Sequence, residues 1–117
     1  MLSGAHIVIY SEDAEADRAF FRDVLNFTSV DAGHGWLIFA MPPAEAAFHD
    51  AESNGRHELY FMCDDIAQTL NDLKSRNVII SEIKKERWGK VANFTLPGGG
   101  TIGVYEPSHP SPLQNRG

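Results

Sequence analysis

The sequence predicts an α+β fold made of two βαβββ modules, with curled mixed sheets around a cavity. Three observations carry that expectation. GAHIVIYSEDAEADRAFF near the start is echoed by RHELYFMCDDIAQTLNDL in the middle. With His6 set against Glu58, Asp13 falls on Asp65 and Phe21 on Leu73 without a gap. A second pair of apolar segments closes the two halves, one around Glu45 and one around Gly103, and sets those two residues opposite each other. An internal repeat of this kind defines an architecture before any single residue is interpreted.

The elements follow in order. Residues 5–10 alternate within an apolar stretch and read as a strand. Ser11, Glu12 and Asp13 supply a helix start with acid in its first turn. Phe20, Phe21, Val24 and Leu25 then recur at helical spacing and form an aromatic stripe for a sheet. Three short strands are expected at about 27–32, 36–41 and 44–49, punctuated by Gly33, Gly35 and the Pro42-Pro43 pair. Residues 51–56 form a polar linker. Residues 58–63 read as the second module's first strand, Asp65 caps a helix carrying Ile66, Leu70 and Leu73, and Asn77 ends it in a left-handed conformation. Strands at 78–83, 91–96 and 101–105 complete the set, with Gly98, Gly99 and Gly100 in the last turn. The modules span about 4–50 and 56–107, and the Pro-rich tail 108–117 reads as frayed.

Composition narrows the function. The chain has 117 residues, enough for one domain with its own core. No apolar run is long enough to span a membrane and no cleavable leader is evident, so a cytoplasmic location is expected. Cys63 is the single cysteine and stands on the buried side of a strand, which makes it a packing residue rather than a reactive thiol. A formal net charge of -6 with no basic stripe argues against a nucleic-acid partner. Lys84, Lys85 and Arg87 form the one basic knot and read as a solvated loop.

Strand alternation sorts the side chains. In the first strand Ala5, Ile7 and Ile9 are expected against the helix, leaving His6, Val8 and Tyr10 on the open face. In the fifth, Leu59, Phe61 and Cys63 pack inward, leaving Glu58, Tyr60 and Met62; a one-residue bulge would bring His57 inward instead. In the fourth, Glu45, Ala47 and His49 oppose Ala44, Ala46 and Phe48, and in the eighth Gly103 and Tyr105 oppose Ile102 and Val104. The open face thus offers His6, Glu45 and Glu58 beside Tyr60 and Tyr105, with Trp36 and Trp88 as walls. If Glu45 and Glu58 converge there, a counter-charge must sit between them: a metal, a cationic ligand, or His6 as imidazolium.

A βαβββ repeat with His6 opening strand one, Glu45 in strand four and a Trp88-Gly89…Pro97-Gly98-Gly99-Gly100 close resembles the vicinal oxygen chelate superfamily. That group includes glyoxalase I, the bleomycin resistance proteins, fosfomycin resistance enzymes and extradiol dioxygenases. The resemblance covers about residues 4–107. It implies metal ligands on strands one, four, five and eight, which are His6, Glu45, Glu58 and Gly103 in this sequence. Gly103 has no side chain, so at most three protein ligands remain. One His with two carboxylates suits one divalent ion of the manganese or magnesium kind, with zinc, nickel or iron as further options. The LPGGG turn also departs from the Asp-Pro-Asp-Gly type of many members.

Two functions of different class follow. The first is a small-molecule-binding protein, in which paired modules and a homodimer form a cup, Tyr60, Met62, Trp88, Tyr105 and Trp36 hold the ligand, and resistance comes from sequestration. The second is a divalent-metal-dependent lyase, isomerase or dioxygenase-like enzyme acting on a vicinal-oxygen substrate, with His6, Glu45 and Glu58 as metal ligands. Fold resemblance alone does not choose between them.

Overall fold

Each helix begins at an aspartate. In the computed structural model, which describes residues 6–45, 47–48, 50–110 and 112–115, α1 spans Ala14–Asp23 and α2 spans Ile66–Ser75. The Asp13 carboxylate accepts from the Ala16 amide at 3.1 Å, and that of Asp65 accepts from the Gln68 amide at 3.1 Å. Each thereby satisfies a donor that the helix leaves open. Past α2 the chain turns at Asn77, whose φ of 65° is the left-handed conformation its position predicts.

Four strands form the main sheet: β3 (Tyr60–Met62), β4 (Lys84–Glu86), β5 (Gly89–Thr95) and β6 (Thr101–Pro107), in the order β3-β6-β5-β4. β3 runs parallel to β6, and the other pairs are antiparallel. Alternation buries Ala92, Phe94, Ile102 and Val104 on one face, against Ile66, Leu70 and Leu73 of α2. The strand expected at 78–83 is displaced to β4. Ile80 bridges Phe94, but the Asn93 amide donates to Ser81 Oγ at 2.9 Å, so a side chain replaces the ladder's backbone acceptor there. Lys84, Lys85 and Glu86 then form a charged edge strand rather than a loop.

The first half is organised differently from the expectation. β1 (Ser29–Asp31) and β2 (Leu37–Phe39) make a two-stranded hairpin whose turn is held by Asp31, which accepts from the Gly33 and Gly35 amides. Among the described residues, 6–10 and 44–48 belong to no strand. Ile7 and Ile9, expected against the helix, are exposed, as are Val8 and Tyr10. Ala5, Ala46 and His49 lie outside the described residues. The physical reason is that an extended segment becomes a strand only when a neighbouring strand pairs with it, and among the described residues no strand pairs with either segment.

α1 nevertheless packs firmly, because its aromatic stripe reaches the second half's sheet. Phe20 stacks on Phe94 at 5.8 Å between centroids, while Phe21 meets Phe27 at 5.7 Å, Phe39 at 5.5 Å and Phe61 at 6.2 Å. Both helices therefore cover one face of one sheet. The glycine turn is drawn into this arrangement: the Gly98 amide donates to Asp17 Oδ1 at 2.8 Å, and a Cβ at Gly98 would lie 2.5 Å from Ser11 Oγ. Replacing Asp17 by Ala is expected to lower the free energy of unfolding by about 1–2 kcal/mol, since a hydrogen bond to a charged acceptor is lost. Urea denaturation measures this, and a change below about 0.3 kcal/mol would contradict the assigned tie.

Candidate functional site

With both helices on one face, the other face of the four-stranded sheet is open. Register places Tyr60, Gly103 and Asn93 in one row across it, and Met62, Tyr105 and Val91 in the next. The Tyr60 ring lies directly over Gly103: a Cβ built there would fall 2.1 Å from Tyr60 Cδ1 and 2.5 Å from Cε1. Glycine at 103 is thus the condition for an aromatic ring to lie across the sheet. The ring occupies the space that a ligand-bearing side chain at this position would need.

Tyr60 begins a run of rings. Its centroid is 6.3 Å from that of Tyr105 at an interplanar angle of 72°, and Tyr105 meets Trp88 at 5.4 Å and 67°. Both contacts are edge-to-face, the arrangement favoured by aromatic quadrupoles. Trp88 stands in the tight turn between β4 and β5, and a cavity of about 330 Å³ opens beside it, lined by Glu86, Arg87 and Trp88. Tyr60 and Trp88 remain 39% and 44% exposed, so their faces are available to a ligand. Met62 shares the face and is half-buried. Trp36 stands in the β1–β2 hairpin with Arg18 over its ring at 5.4 Å. Among the described residues it makes no ring contact with the Tyr60, Tyr105 and Trp88 run.

Polar groups frame the run. The Tyr60 hydroxyl donates to Glu58 Oε2 at 2.6 Å, and Arg56 Nη2 donates to Glu58 Oε1 and pairs with it. The bond to the Glu58 carboxylate, then burial, hold the Tyr60 phenol above its ordinary range, so it stays protonated as a donor. Glu58 is the member of the His57–Glu58 pair that contacts the aromatic run. Its counter-charge is the Arg56 guanidinium, a partner that strand alternation could have disclosed, because residues 56, 58 and 60 stand two apart. Burial pushes the Cys63 thiol up, against the lowering effect of Thr69, which suits a packing residue.

His6 is exposed and Glu45 half-buried. Among the described residues no three His, Cys, Asp or Glu side chains are grouped to hold a metal ion. The structure thus does not bring His6, Glu45 and Glu58 together within one chain. Glu58 is engaged by Arg56 and Tyr60, and Gly103 lies beneath a ring. A second cavity, of about 270 Å³, lies on the helix side of the sheet by Ile66 and Lys90. There Glu106 accepts from the Ile66 amide at 3.0 Å and stands 3.8 Å from Lys90 Nζ, a helix cap with a neighbouring cation. No helix among the described residues is long and apolar enough to cross a membrane.

His109 is a contact that periodicity does not reveal. Ser108 donates from its amide to the Trp88 carbonyl at 3.0 Å and from Oγ to the Arg87 carbonyl at 3.1 Å. His109 follows, its ring 5.7 Å from Tyr105 and its Nε2 hydrogen-bonded to the Tyr105 hydroxyl. The start of the tail that reads as frayed is therefore tied to the aromatic run, and Ser111 and residues 116–117 lie outside the described residues.

Comparison with known proteins agrees with this architecture. Among solved structures, the chain is similar to TnmS3, an antibiotic binding protein from Streptomyces sp. CB03234, with a TM-score of 0.63 and 24% identity over 92% of this chain and 100% of that one. It is also similar to a lactoylglutathione lyase from Agrobacterium tumefaciens, with a TM-score of 0.65 and 19% identity over 89% of this chain and 92% of that one. The fosfomycin resistance protein FosX from Listeria monocytogenes gives a TM-score of 0.59 and 14% identity over 92% and 96%. At these identities the likeness shows the fold, which has hosted binding and catalysis alike. No curated protein matches the chain. The family model for this fold, however, matches residues 4–109, nearly the whole chain and both halves of the repeat. By that match the chain belongs to the Glyoxalase/Bleomycin resistance protein/Dioxygenase superfamily.

Proposed function

We propose that this protein binds a small aromatic molecule on the open sheet face and acts by sequestering it. The observation that carries the reading is the Tyr60 ring lying over Gly103, which makes this part of the face a stacking platform. Edge-to-face contacts hold Tyr105 and Trp88 beside it, and a few convergent polar groups (Glu58, Arg56, Asn93) supply orientation, the composition expected of a ligand site. Similarity to an antibiotic binding protein of the same fold supports a small-molecule ligand. Titration of aromatic compounds followed by Trp88 fluorescence tests it. Tyr60→Ala is expected to weaken binding about tenfold, near 1.4 kcal/mol, with the fold intact by circular dichroism. Undiminished binding in Tyr60→Ala would overturn the placement of the site.

The cup is completed by a second copy of the chain. The accessible surface of 9435 Å² exceeds by roughly 3,000 Å² that of a compact protein of 12.9 kDa. Two chains carrying that excess have ample surface for the roughly 2,000–5,000 Å² that obligate homodimers bury in total. The exposed apolar side chains include Ile7, Val8, Ile9 and Tyr10, together with Phe48 and Val30, all in the first half. Pairing of residues 6–10 and 44–48 with those of a second copy would cover them and bring His6 and Glu45 to a shared face. Sedimentation is expected to give a dimer, and Ile9→Asp a monomer or unfolded chain. A wild-type monomer at micromolar concentration would contradict the assembly. Metal-dependent catalysis through His6, Glu45 and Glu58 would require this assembly and release of Glu58 from Arg56. Its signature would be thermal stabilisation by one divalent ion that Glu58→Gln abolishes.

A further inference from the structure

The two tyrosines of the aromatic run spend their hydroxyl protons differently. Tyr60 donates to a carboxylate that an arginine also holds, a charge-assisted bond of the stronger kind. Tyr105 is bonded to His109, an exposed residue of the tail. The state of that imidazole follows from its second contact. Nδ1 lies 2.7 Å from the Pro110 carbonyl oxygen, which can only accept, so Nδ1 carries the proton. In the neutral ring Nε2 is then a lone-pair acceptor, and the Tyr105 hydroxyl donates to it.

The attachment is reversible by construction. Ser108 is pinned to Trp88 and Arg87 through two hydrogen bonds, while His109 beyond it rests on Tyr105 through one bond and one tilted ring contact. The histidine can leave without disturbing β6, because its anchor lies one residue before it. Tyr105 is also the central ring of the run, in contact with both Tyr60 and Trp88. A ligand stacked on this face would meet the Tyr105 hydroxyl with its hydrogen bond already made to His109.

We propose that His109 is a latch on the ligand site: it holds the Tyr105 hydroxyl in the free protein and yields it to a hydrogen-bond-accepting oxygen carried by an aromatic ligand. The inference rests on the reading of this face as the binding site, and it selects within that reading for aryl carbonyl compounds over plain aromatic hydrocarbons. His109 acts through Tyr105 and is a positioning residue for it.

The test uses the full chain and two matched probes, 9-fluorenone-4-carboxylate, which bears a ring carbonyl, and fluorene-4-carboxylate, which does not. In His109→Ala the fluorenone is expected to bind about fivefold more tightly, the net worth of one hydrogen bond no longer competed for, with the fluorene changing less than twofold. Fluorenone bound equally or more weakly by His109→Ala overturns the latch while leaving the site reading intact. Failure of both probes to bind any form of the protein overturns the site reading itself. Imidazole nitrogen NMR judges the latch without ligand: wild type is expected to show His109 protonated at Nδ1 with a hydrogen-bonded Nε2, and Tyr105→Phe to move the Nε2 resonance to that of an unbonded lone pair. A wild-type ring protonated at Nε2, or one unmoved by Tyr105→Phe, overturns the proposal whatever the probes do.

Discussion

Gly103→Ala is expected to cost about 1–3 kcal/mol of stability and to abolish aromatic binding, although it adds a single methyl group. The added carbon would stand 2.1 Å from Tyr60 Cδ1 and 2.8 Å from Cγ, so it meets the body of the ring rather than a flexible tip. Either the ring swings off the sheet into solvent or the β3–β6 pairing opens at the Tyr60–Gly103 position. Both routes remove the platform. A double-mutant cycle separates this from a general glycine effect: in a Tyr60→Ala background the same substitution should cost less by 1 kcal/mol or more. Equal costs in the two backgrounds would show that Tyr60 is not what Gly103 accommodates.

The larger effect on folding is expected at Phe94. Its ring is 1% exposed and is stacked between Phe20 of α1 at 5.8 Å and Phe61 of β3 at 6.4 Å. Truncation of a buried phenylalanine costs about 3–5 kcal/mol through lost transfer energy and the cavity left behind. Here it also removes one of the two ring contacts, Phe20–Phe94 and Phe21–Phe61, by which the first half's helix covers the second half's sheet. Against a total of about 5–15 kcal/mol for a domain, Phe94→Ala should leave a marginal or unfolded chain. Phe94→Leu, which keeps most of the volume, should be folded. A loss below about 1.5 kcal/mol in chemical denaturation of Phe94→Ala would mean that the shared core is not what holds the halves together.

Residues that depend on near neighbours were legible in the sequence. Asp13 and Asp65 cap helices because their side chains reach amides three positions on, and Asn77 turns left-handed at a helix end. Alternation also sorts β6, where Ile102 and Val104 face the helices and Gly103 and Tyr105 do not. Periodicity assigns a face but names no partner, and there the reading stops. Nothing local in 6–10 says that the segment would join no strand among the described residues, because its pattern is that of a strand wherever its partner resides. The tie of Asp17 to Gly98 spans 81 positions, and that of Arg76 Nη1 to the Val24 carbonyl spans 52. The missing side chain at Gly103 reads from the sequence as a lost ligand. In three dimensions it is the floor beneath Tyr60, visible only once register sets those two residues side by side. His109 stands four residues past Tyr105 in a Pro-rich tail, and composition marks such a tail as solvent-facing whether or not one residue in it docks.

Binding of an aromatic ligand through the rings of the open face is open to direct test. The most direct measurement is calorimetric titration of an aromatic ligand into protein stripped with excess chelator, repeated with manganese or zinc restored. Equal affinity in the two conditions, with a loss of about tenfold in Tyr60→Ala and none in His6→Ala, is the predicted result. Binding that appears only when metal is restored, and disappears with Glu58→Gln, would contradict it.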